Sequence, residues 1–343
     1  MIHVHSSYSD GTGTVKQIAG AAEKNGLDYV LLTDHDTLEA KGRGEEGWHG
    51  HVLVLVGEEV SPTRENHYLA FALDRPIDHR GLSPAEIVAR VNDAGGFGFL
   101  SHPFSKGSER FRRGAGGMPW RDLECAGYTG LELWSFITDT GERLGGIPDA
   151  LRFILTPGRF VDHPPANNLA TWDRICATRP CVALGGIDAH QLGIRVGNHV
   201  PLRLMAYKRS FRYLRTHLLA SEPLAGELEH DRDVVFAALR AGRAYLAMDA
   251  VAPARGFRFF ADGDPPLVMG DEGPAGAARR LQAEFPRAAR IRLIRDGREI
   301  AGAGGARSLS HEVEGPGVYR VEAYLRKHGR ERTWILSNPI YLR

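Results

Sequence analysis

Short apolar runs alternate with helix-type spacings along roughly the first 250 residues of the chain. The apolar runs end in polar residues, and they read YVLLTDHD, HVLVLVGEEV, HYLAFAL, GFGFLSHP, GLELWS and CVALGGIDAH. Between them, TVKQIAGAAEKNG has apolar residues at helical spacing, and SPAEIVARVNDAGG opens with Ser83, Pro84 and Glu86, a capping-box helix start. Buried strands separated by helices predict an α/β domain with a mostly parallel sheet.

The ends of these strands favour a closed barrel over an open sheet. No glycine-rich phosphate loop follows the first short strand, IHVH, and polar residues repeatedly follow the carboxyl ends of the later strands. In a barrel of parallel strands those ends share one face, where active sites lie. We therefore expect residues 1–250 to form a barrel with its chemistry at that face.

The pattern changes near residue 250. Short alternating segments follow, among them GFRFFA, RIRLIRDGREIA, GVYRVEAYL and TWILSNPIYL, with RDGR as a hairpin-like turn. This alternation predicts a small β-sandwich over residues 251–343. Thirteen of the fifteen histidines lie before it, so we expect the chemistry in the first domain.

Composition narrows the class of protein without naming a partner. The chain of 343 residues is 43% hydrophobic and 25% charged with a formal net charge of +1, so charge indicates neither nucleic acid nor membrane. Its three cysteines lack C-x-x-C spacing, and no run of 18 apolar residues predicts a membrane span. These features suggest a cytoplasmic protein, although a trimmed signal peptide would leave the same start, and they leave an oligomer open.

Candidate metal ligands recur where strands begin or end. The opening HVH places two imidazoles on one side of a strand, because side chains two apart face the same way. The DAH near the end of the barrel repeats that spacing, TDH, GEEV, NHY and SHP each add one group, and Asp10 lies five residues after His5. The candidates are His3, His5, Asp10, His35, Glu59, His67, His102, Asp188 and His190.

These side chains together predict a multinuclear metal site. Each of them alone has an ordinary structural explanation, but independent accidents would not all fall at strand ends. Nine ligands suit two or three ions better than one, and mixed imidazole and carboxylate donors suit Zn²⁺, Mn²⁺ or Fe rather than Ca²⁺ or Mg²⁺. We expect a structural role for the remaining histidines His49, His51, His79, His163, His217 and His230.

The order HVHSSYSDGT, LDYVLLTDHDT, GEEV, NHYLAFAL, LSHPF and GGIDAH resembles the PHP (polymerase and histidinol phosphatase) superfamily over about 200 residues. The later segments YLRTHLLASEPL, FAALRAGRAYLAMD, GVYRVEAYL and WILSNPIYLR resemble its CehA/McbA (carbaryl-hydrolase-like) subgroup. The resemblance implies a distorted TIM-like (β/α)7 barrel followed by an Ig-like C-terminal β-sandwich.

The resemblance also implies a division of the ligands among the ions. His3, His5, Glu59 and Asp188 would hold one ion, and Glu59 would bridge to a second ion held by His67 and His102. A third ion would be held by the set Asp10, His35 and His190.

Several neighbours of these ligands have less certain roles. The family pattern Gly-x-Glu selects Glu59 over Glu58, and the position of Asp10 is histidine in some relatives. Asp34 and Asp36 are expected to orient His35 without binding metal. Glu132 is either a further site acid or an ordinary strand carboxylate.

The expected nucleophile is a metal-bound hydroxide rather than a side chain. The sequence has no G-x-S-x-G elbow, and no cysteine falls in the ligand segments. His199 is a possible second-shell group that could aid the leaving group. Three loop arginines could clamp an anionic substrate, although a solvated loop is the alternative; they are Arg110, Arg112 and Arg113.

The leading hypothesis is a metal-dependent phosphoesterase acting on a small phosphate ester, since the family as a whole favours such substrates. The first alternative is an ester, amide or carbamate hydrolase of the carbaryl-hydrolase type. The second is a metal-binding module without turnover. The ligand set alone does not separate phosphorus from carbonyl carbon as the site of attack.

Overall fold

The computed structural model describes residues 1–111, 116–191, 193–196, 199–203, 205–276 and 278–343, with the backbone only over 193–203. The chain divides into two compact units, each made of several segments. The first unit comprises Met1–Val161, Gly185–Arg215 and Leu224–Arg232. The second comprises Asp162–Leu184, Thr216–Pro223 and Asp233–Arg343. The predicted boundary at residue 250 stays a prediction.

A mixed sheet positions the candidate site. Its strands are β1 Tyr29–His35, β2 Gly47–His49, β3 Val52–Val60, β4 Tyr68–Phe71, β5 Phe97–Leu100, β6 Gly130–Ser135 and β7 Val182–Gly186. They run in the order β1–β3–β4–β5–β6–β7, with β2 paired to β3. The mixed α/β class is confirmed, while closure into a seven-stranded barrel stays a prediction.

Strand β4 runs against both of its neighbours, so the sheet is less parallel than the sequence pattern predicts. It pairs antiparallel with β3 and with β5, whereas β1 pairs parallel with β3 and β5 with β6. The start of β4 at Tyr68 is therefore level with Val60 and Leu100, near the ends of its neighbours. His67 precedes β4 and reaches the same edge as the residues that follow β3 and β5.

The first predicted strand is reduced to a single residue. Val4 forms isolated bridges to Leu32 and to Ala189, and no longer ladder continues from it within the described residues. His3 has a φ of 65°, which lies in the left-handed region and interrupts an extended strand.

The helices begin where the sequence pattern indicates. Helix α1 (Val15–Glu23) is preceded by Thr14 and α3 (Pro84–Asp93) by Ser83, and each cap forms a reciprocal capping box with the residue three positions on. Helices α1 and α3 turn their apolar residues inward, as Ile87, Val88 and Val91 show for α3. The other helices are α2 Glu39–Gly42, α4 Ile147–Leu155, α5 Pro157–Phe160, α6 Ala166–Thr178, α7 Tyr207–Ser210 and α8 Leu228–Arg240, with a 3₁₀ turn at Asp139–Arg143.

A second, mainly antiparallel sheet contains most of the C-terminal strands. Its strands are β10 Leu214–Leu218, β11 Ala244–Met248, β12 Arg258–Ala261, β13 Leu267–Val268, β14 Glu272–Gly273, β15 Arg280–Arg295, β16 Arg298–Glu312, β17 Gly317–Lys327, β18 Arg330–Ser337 and β19 Ile340–Leu342. The predicted turn joins β15 to β16, with positive φ at Asp296 and Gly297, as a two-residue hairpin requires. A separate hairpin is formed by β8 Gly193–Val196 and β9 His199–Arg203.

The strands of the second sheet are continuously hydrogen-bonded, and a strand that passes between the two sheets of a sandwich would give the same pairing. Strand β17 pairs with β15, β18 and β19, so the strands form one hydrogen-bonded network. The sandwich arrangement therefore stays a prediction.

The described helices are short and the thiols are internal. The longest helices, α6 and α8, have 13 residues each. None of the helices in the described ranges combines the length and apolarity that a bilayer crossing demands. The three cysteines, Cys125, Cys176 and Cys181, are buried.

Replacing the cap of α3 should destabilise the first unit. In the Ser83→Ala variant the backbone N–H of Glu86 loses its acceptor. We expect the free energy of unfolding to fall by about 1 kcal/mol in urea titrations. Ser221→Ala, at an exposed loop position, is the control and should change it little. Equal stability of the two variants would contradict the capping role.

Candidate metal centre

All nine candidate ligands converge on one cluster in the first unit. Their donor atoms form four groups whose members lie within 4.8 Å of one another. The groups are His3, His5 and Glu59; His3, His102 and Asp188; His35, Glu59 and His67; and His5, Asp10, His35 and His190. The structure thus brings together every predicted ligand, and metal binding by them stays a prediction.

Glu59 lies between two sets of histidines. Its Oε2 is 3.2 Å from Nδ1 of His35, 3.3 Å from Nε2 of His3 and 3.4 Å from Nε2 of His5. Its Oε1 is 3.2 Å from Nδ1 of His67 and 3.2 Å from Nε2 of His102. One carboxylate therefore faces two sets of imidazoles, as a bridging ligand between two cations would.

Strand alternation separates Glu59 from its neighbour Glu58. Successive side chains of β3 point to opposite faces, so only one of these acids faces the histidines. The Oε1 of Glu58 instead accepts a hydrogen bond of 2.8 Å from the backbone N–H of Ile77. Glu59 is level with His35 on β1, which places the acid and that imidazole side by side.

Asp188 completes the first set of ligands. Its Oδ1 is 3.3 Å from Nε2 of His3 and 3.5 Å from Nε2 of His5. Its other oxygen accepts a hydrogen bond from the hydroxyl of Thr138. The backbone is left-handed at His3, His102 and Asp188, with φ values of 65°, 30° and 53°. Such strained backbone at non-glycine residues is frequent where side chains are held for function.

The group around Asp10 is the most accessible part of the cluster. Its Oδ1 lies 3.2 Å from Nε2 of His190 and 3.7 Å from Nε2 of His35, and its side chain is 57% exposed. His5 also faces this group, with Nδ1 3.9 Å from the same oxygen. His5 thus adjoins both the first and the third predicted sets, which the sequence treats as separate.

Opposite charges dominate the electrostatics of the cluster. Burial by itself raises the pKa of Glu59 and Asp188, but the surrounding imidazoles, His3 first, hold both pKa values well below the usual range. Burial lowers the pKa of His5 to about 3, and the positive charge of His190 adds to that shift. The pKa of His190 rises to about 9, because the nearby acids, Asp188 first, outweigh the effect of burial.

The donors present fit divalent cations. Both ring nitrogens of His5 are buried without a hydrogen-bond partner among the described residues. An unpaired buried imidazole is costly unless another group binds it, and a neutral imidazole is an ordinary metal ligand. Imidazole and carboxylate donors together suit Zn²⁺, Mn²⁺ or Fe.

Two serines orient ligands in a way that the sequence reasoning missed. Ser61 donates from Oγ to the backbone oxygen of Glu59, so it accepts the Nδ1–H of His35 at 2.6 Å. Nε2 of His35 faces Asp10 at 3.7 Å. Ser101 donates to Oε1 of Glu59 at 2.6 Å. The available signal was position, since each serine lies within two residues of a candidate ligand.

The predicted orienting role of Asp34 and Asp36 needs correction. Asp34 accepts hydrogen bonds from the backbone and hydroxyl of Ser6 and from the hydroxyl of Ser9. Asp36 accepts from the backbone N–H of Ser61 and pairs with His79 at 3.3 Å. Asp34 therefore shapes the turn after His5, and Asp36 acts on His35 only through Ser61.

Glu132 belongs to the surroundings of the ligands. Its Oε1 lies 3.0 Å from Nδ1 of His3, and its Oε2 accepts a hydrogen bond of 2.8 Å from the backbone N–H of His102. The side chain is fully buried. Of the two interpretations that the sequence left open, a site acid describes these contacts better than an isolated strand carboxylate.

The predicted substrate-binding arginines are only partly described. Arg110 is exposed and lines a cavity of about 580 Å³ together with Lys106, Glu109 and Glu142. Arg112 and Arg113 lie outside the described residues, and so does the side chain of His199, whose backbone belongs to β9.

The remaining histidines have contacts of their own. In the first unit, Nε2 of His49 lies 2.8 Å from the backbone oxygen of Glu45, His51 is exposed, and His230 pairs with Asp231. In the second unit, His163 contacts Thr333, and His217 pairs with Asp249. None of these histidines, nor His79, belongs to the four described groups of candidate ligands.

The part of the chain that matches a known domain family includes most of the candidate ligands. Residues 2–133 match the PHP domain. The PHP match covers seven of the nine candidate ligands but less than half of the chain. The uncharacterized protein MJ1587 of Methanocaldococcus jannaschii is 29% identical over 117 residues, covering 30% of this chain and 67% of that protein.

Three solved structures share distant similarity with the chain. A two-domain protein from Bacteroides vulgatus containing a predicted PHP-like metal-dependent phosphoesterase is 13% identical, covers 98% of this chain and 93% of its own, and has a TM-score of 0.42. PsfC from Pseudomonas syringae is 14% identical, with coverages of 67% and 84% and a TM-score of 0.40. An amidohydrolase from Chromobacterium violaceum is 16% identical, with coverages of 60% and 90% and a TM-score of 0.32. At these TM-scores the similarity decides neither fold nor chemistry.

Adjacent glutamates allow a matched test of the ligand assignment. Glu59→Gln removes the charge that faces five imidazoles, so we expect the affinity for Zn²⁺ or Mn²⁺ to fall by at least about 100-fold. Glu58→Gln keeps the one acceptor that Ile77 uses and should bind metal like the parent protein. Competition with a chromogenic chelator measures both. Unchanged affinity in Glu59→Gln would remove this residue from the site.

Proposed function

We propose that this protein is a metal-dependent hydrolase that uses two or three divalent ions, Zn²⁺, Mn²⁺ or Fe, to cleave small phosphate esters. The observation that supports this most directly is Glu59, whose two carboxylate oxygens face separate sets of imidazoles. The PHP match over residues 2–133 adds independent support.

The residues divide into three roles. Glu59 holds the two central subsites together, since a single side chain contributes to both. His3, His5 and Asp188 complete one subsite, and His67 and His102 complete the other. The third subsite, formed by Asp10, His35 and His190, is open to solvent on the side of Asp10, and there a substrate group can approach.

Metal ions bound in such a pair lower the pKa of a coordinated water and polarise the phosphoryl or carbonyl oxygen of the substrate. The chain's own contribution is to hold the donors in place, although the pKa of His190, raised to about 9 by the nearby acids, means that a cation would have to displace its proton. The low pKa values of Glu59 and Asp188 keep these carboxylates charged at neutral pH, and the low pKa of His5 keeps its ring neutral. These are the protonation states that cation binding requires.

A nucleophilic side chain is unnecessary in this proposal. The cysteines are buried, and none of them belongs to the described groups of candidate ligands. The sequence also lacks the G-x-S-x-G elbow of serine hydrolases. Water activated at the cluster is therefore the nucleophile that we propose.

The cavity beside Arg110 offers two cationic groups to an anionic substrate, one of them, Lys106, already paired with Glu142. Its lining includes the cationic side chains of Lys106 and Arg110. The segment Lys106–Arg110 follows His102 closely in sequence, so the cavity borders a chain segment that leaves the cluster. A phosphate ester with a further negative group would pair with these cations.

Hydrolysis of a carboxyl ester, amide or carbamate is the second candidate. The same cavity contains Glu109 and Glu142, so its lining is not purely cationic. A neutral or mixed-charge substrate would fit such a lining. The resemblance to the CehA/McbA subgroup favours this alternative, because the same cluster chemistry acts on phosphorus and on carbonyl carbon.

Metal dependence and substrate class can be tested together. A chelator should abolish hydrolysis, and Mn²⁺ or Zn²⁺ should restore it, because the donors select these ions. A panel of p-nitrophenyl phosphate, bis-p-nitrophenyl phosphate and p-nitrophenyl acetate then assigns the class. Turnover of phosphates supports the first candidate, and turnover of acetate alone supports the second. Metal binding without any turnover would contradict both.

Arg110 provides a separate test of substrate charge. Arg110→Gln should raise KM for a phosphate monoester by up to about fivefold, the size of an exposed charge interaction, with little change in kcat. Arg80→Gln, which alters another exposed arginine paired with Asp78, is the control. A KM that stays constant for every charged substrate would exclude Arg110 from binding.

A further inference from the structure

We propose that Glu132 is a positioning residue that holds His3 and His102 together, so that one buried carboxylate maintains two metal subsites at once. This inference rests on the proposed function, because it concerns the same cluster. It assigns a role to the acid whose function the sequence left open.

Glu132 reaches both histidines with separate oxygens. It lies on β6, the strand next to β5 in the sheet, and its side chain is fully buried. Oε1 is 3.0 Å from Nδ1 of His3, and Oε2 is 2.8 Å from the backbone nitrogen of His102. The carboxylate therefore uses one oxygen for each ligand.

The contact with His3 determines which ring nitrogen is available. The carboxylate can only accept, so Nδ1 of His3 carries the hydrogen and donates it to Glu132. Nε2 is the ring nitrogen left for a cation, and it faces Glu59 and Asp188 at 3.3 Å each. A carboxylate behind a ligating histidine fixes its tautomer and strengthens its donor nitrogen.

The contact with His102 acts on the backbone. His102 has a φ of 30°, which is unfavourable for a residue with a side chain. The hydrogen bond from its N–H to Glu132 holds that conformation, while its Nδ1 lies 3.2 Å from the carbonyl oxygen of Met118. Nε2 of His102 consequently faces Oε1 of Glu59 at 3.2 Å. His3 and His102 thus contact different oxygens of Glu59, and Glu132 supports both.

Gly186 leaves the space that Glu132 occupies. A Cβ added at Gly186 would lie 1.6 Å from Oε1 of Glu132, so any larger residue must displace the carboxylate. This glycine belongs to β7 and is not one of the candidate ligands. It therefore offers a way to move Glu132 without altering a ligand.

Only a carboxylate satisfies both contacts. Both partners of Glu132 donate hydrogen bonds, and a glutamine has one acceptor oxygen where glutamate has two. Glu132→Gln keeps the volume of the side chain, but its amide NH₂ must face one of the two donors, Nδ1–H of His3 or the backbone N–H of His102, and cannot accept from it. Glu58→Gln is the matched control, since it changes a buried strand glutamate that uses one acceptor.

The test is metal binding by the full chain, measured as dissociation constants for Zn²⁺ and Mn²⁺ by chelator competition. We expect Glu132→Gln to raise the dissociation constants at both central subsites by about 10–100-fold, the usual effect of losing a partner of a metal-bound histidine. Gly186→Ala should do the same, and Glu58→Gln and the open helix position Gly20→Ala should not. Thermal unfolding of the metal-free proteins serves as the second readout, because a purely structural role would lower the melting temperature with metal affinity unchanged.

The outcomes separate this inference from the proposed function. If the parent protein binds neither ion, the proposed function fails. If the parent binds metal and Glu132→Gln binds it within twofold of the parent, the positioning role is wrong. Weaker binding at only one of the two central subsites would also overturn the positioning role, because that role requires an effect at both subsites. If metal-free Glu132→Gln is unfolded at the assay temperature, Gly186→Ala decides by the same criteria.

Discussion

A buried carboxylate is unfavourable unless nearby groups offset the loss of its hydration. In the cluster, the imidazoles around Glu59 do so. A buried charge without partners is strongly unfavourable, whereas one surrounded by donors or cations is tolerated. Glu59 is 1% exposed, and both of its oxygens face imidazoles. This requirement brings together the end of β3, the residue before β4 and the residues after β5. The antiparallel direction of β4 is what allows His67 to join them.

A second layer of polar groups gives the imidazoles and acids their directions. Ser61 and Ser101 contact His35 and Glu59, and Thr138 holds Asp188. The left-handed backbone at several ligands carries a cost of about 1–3 kcal/mol each. Such conformations persist only where surrounding hydrogen bonds hold them. The outer layer of polar groups therefore stabilises the strained backbone at the ligands. The protein's own hydrogen bonds therefore fix the directions of these side chains.

The sequence predicted local structure correctly where the pattern lies within a single short segment. The capping boxes at Thr14 and Ser83 and the Asp296–Gly297 turn depend on residues a few positions apart, and all three are present. The direction of β4 and the shortness of the strand at Val4 were not predictable in this way. Apolar runs indicate burial, but they contain no information on which neighbour a strand pairs with or in which direction.

The sequence by itself determined which chemistry is available, since residue type alone makes imidazoles and carboxylates potential ligands. Residue type, position near strand ends and the family pattern at Glu59 together singled out the nine side chains that the structure gathers in one cluster. Tertiary structure alone decided which oxygen faces which ring, that His5 adjoins two groups, and that Asp34 serves a turn rather than His35. The physical reason is that hydrogen bonds act over about 3 Å between groups far apart in sequence, so they depend on backbone turns and neighbouring strands. Glu132 shows this most clearly, because the role proposed for it depends on contacts with two residues of other segments, His3 and His102.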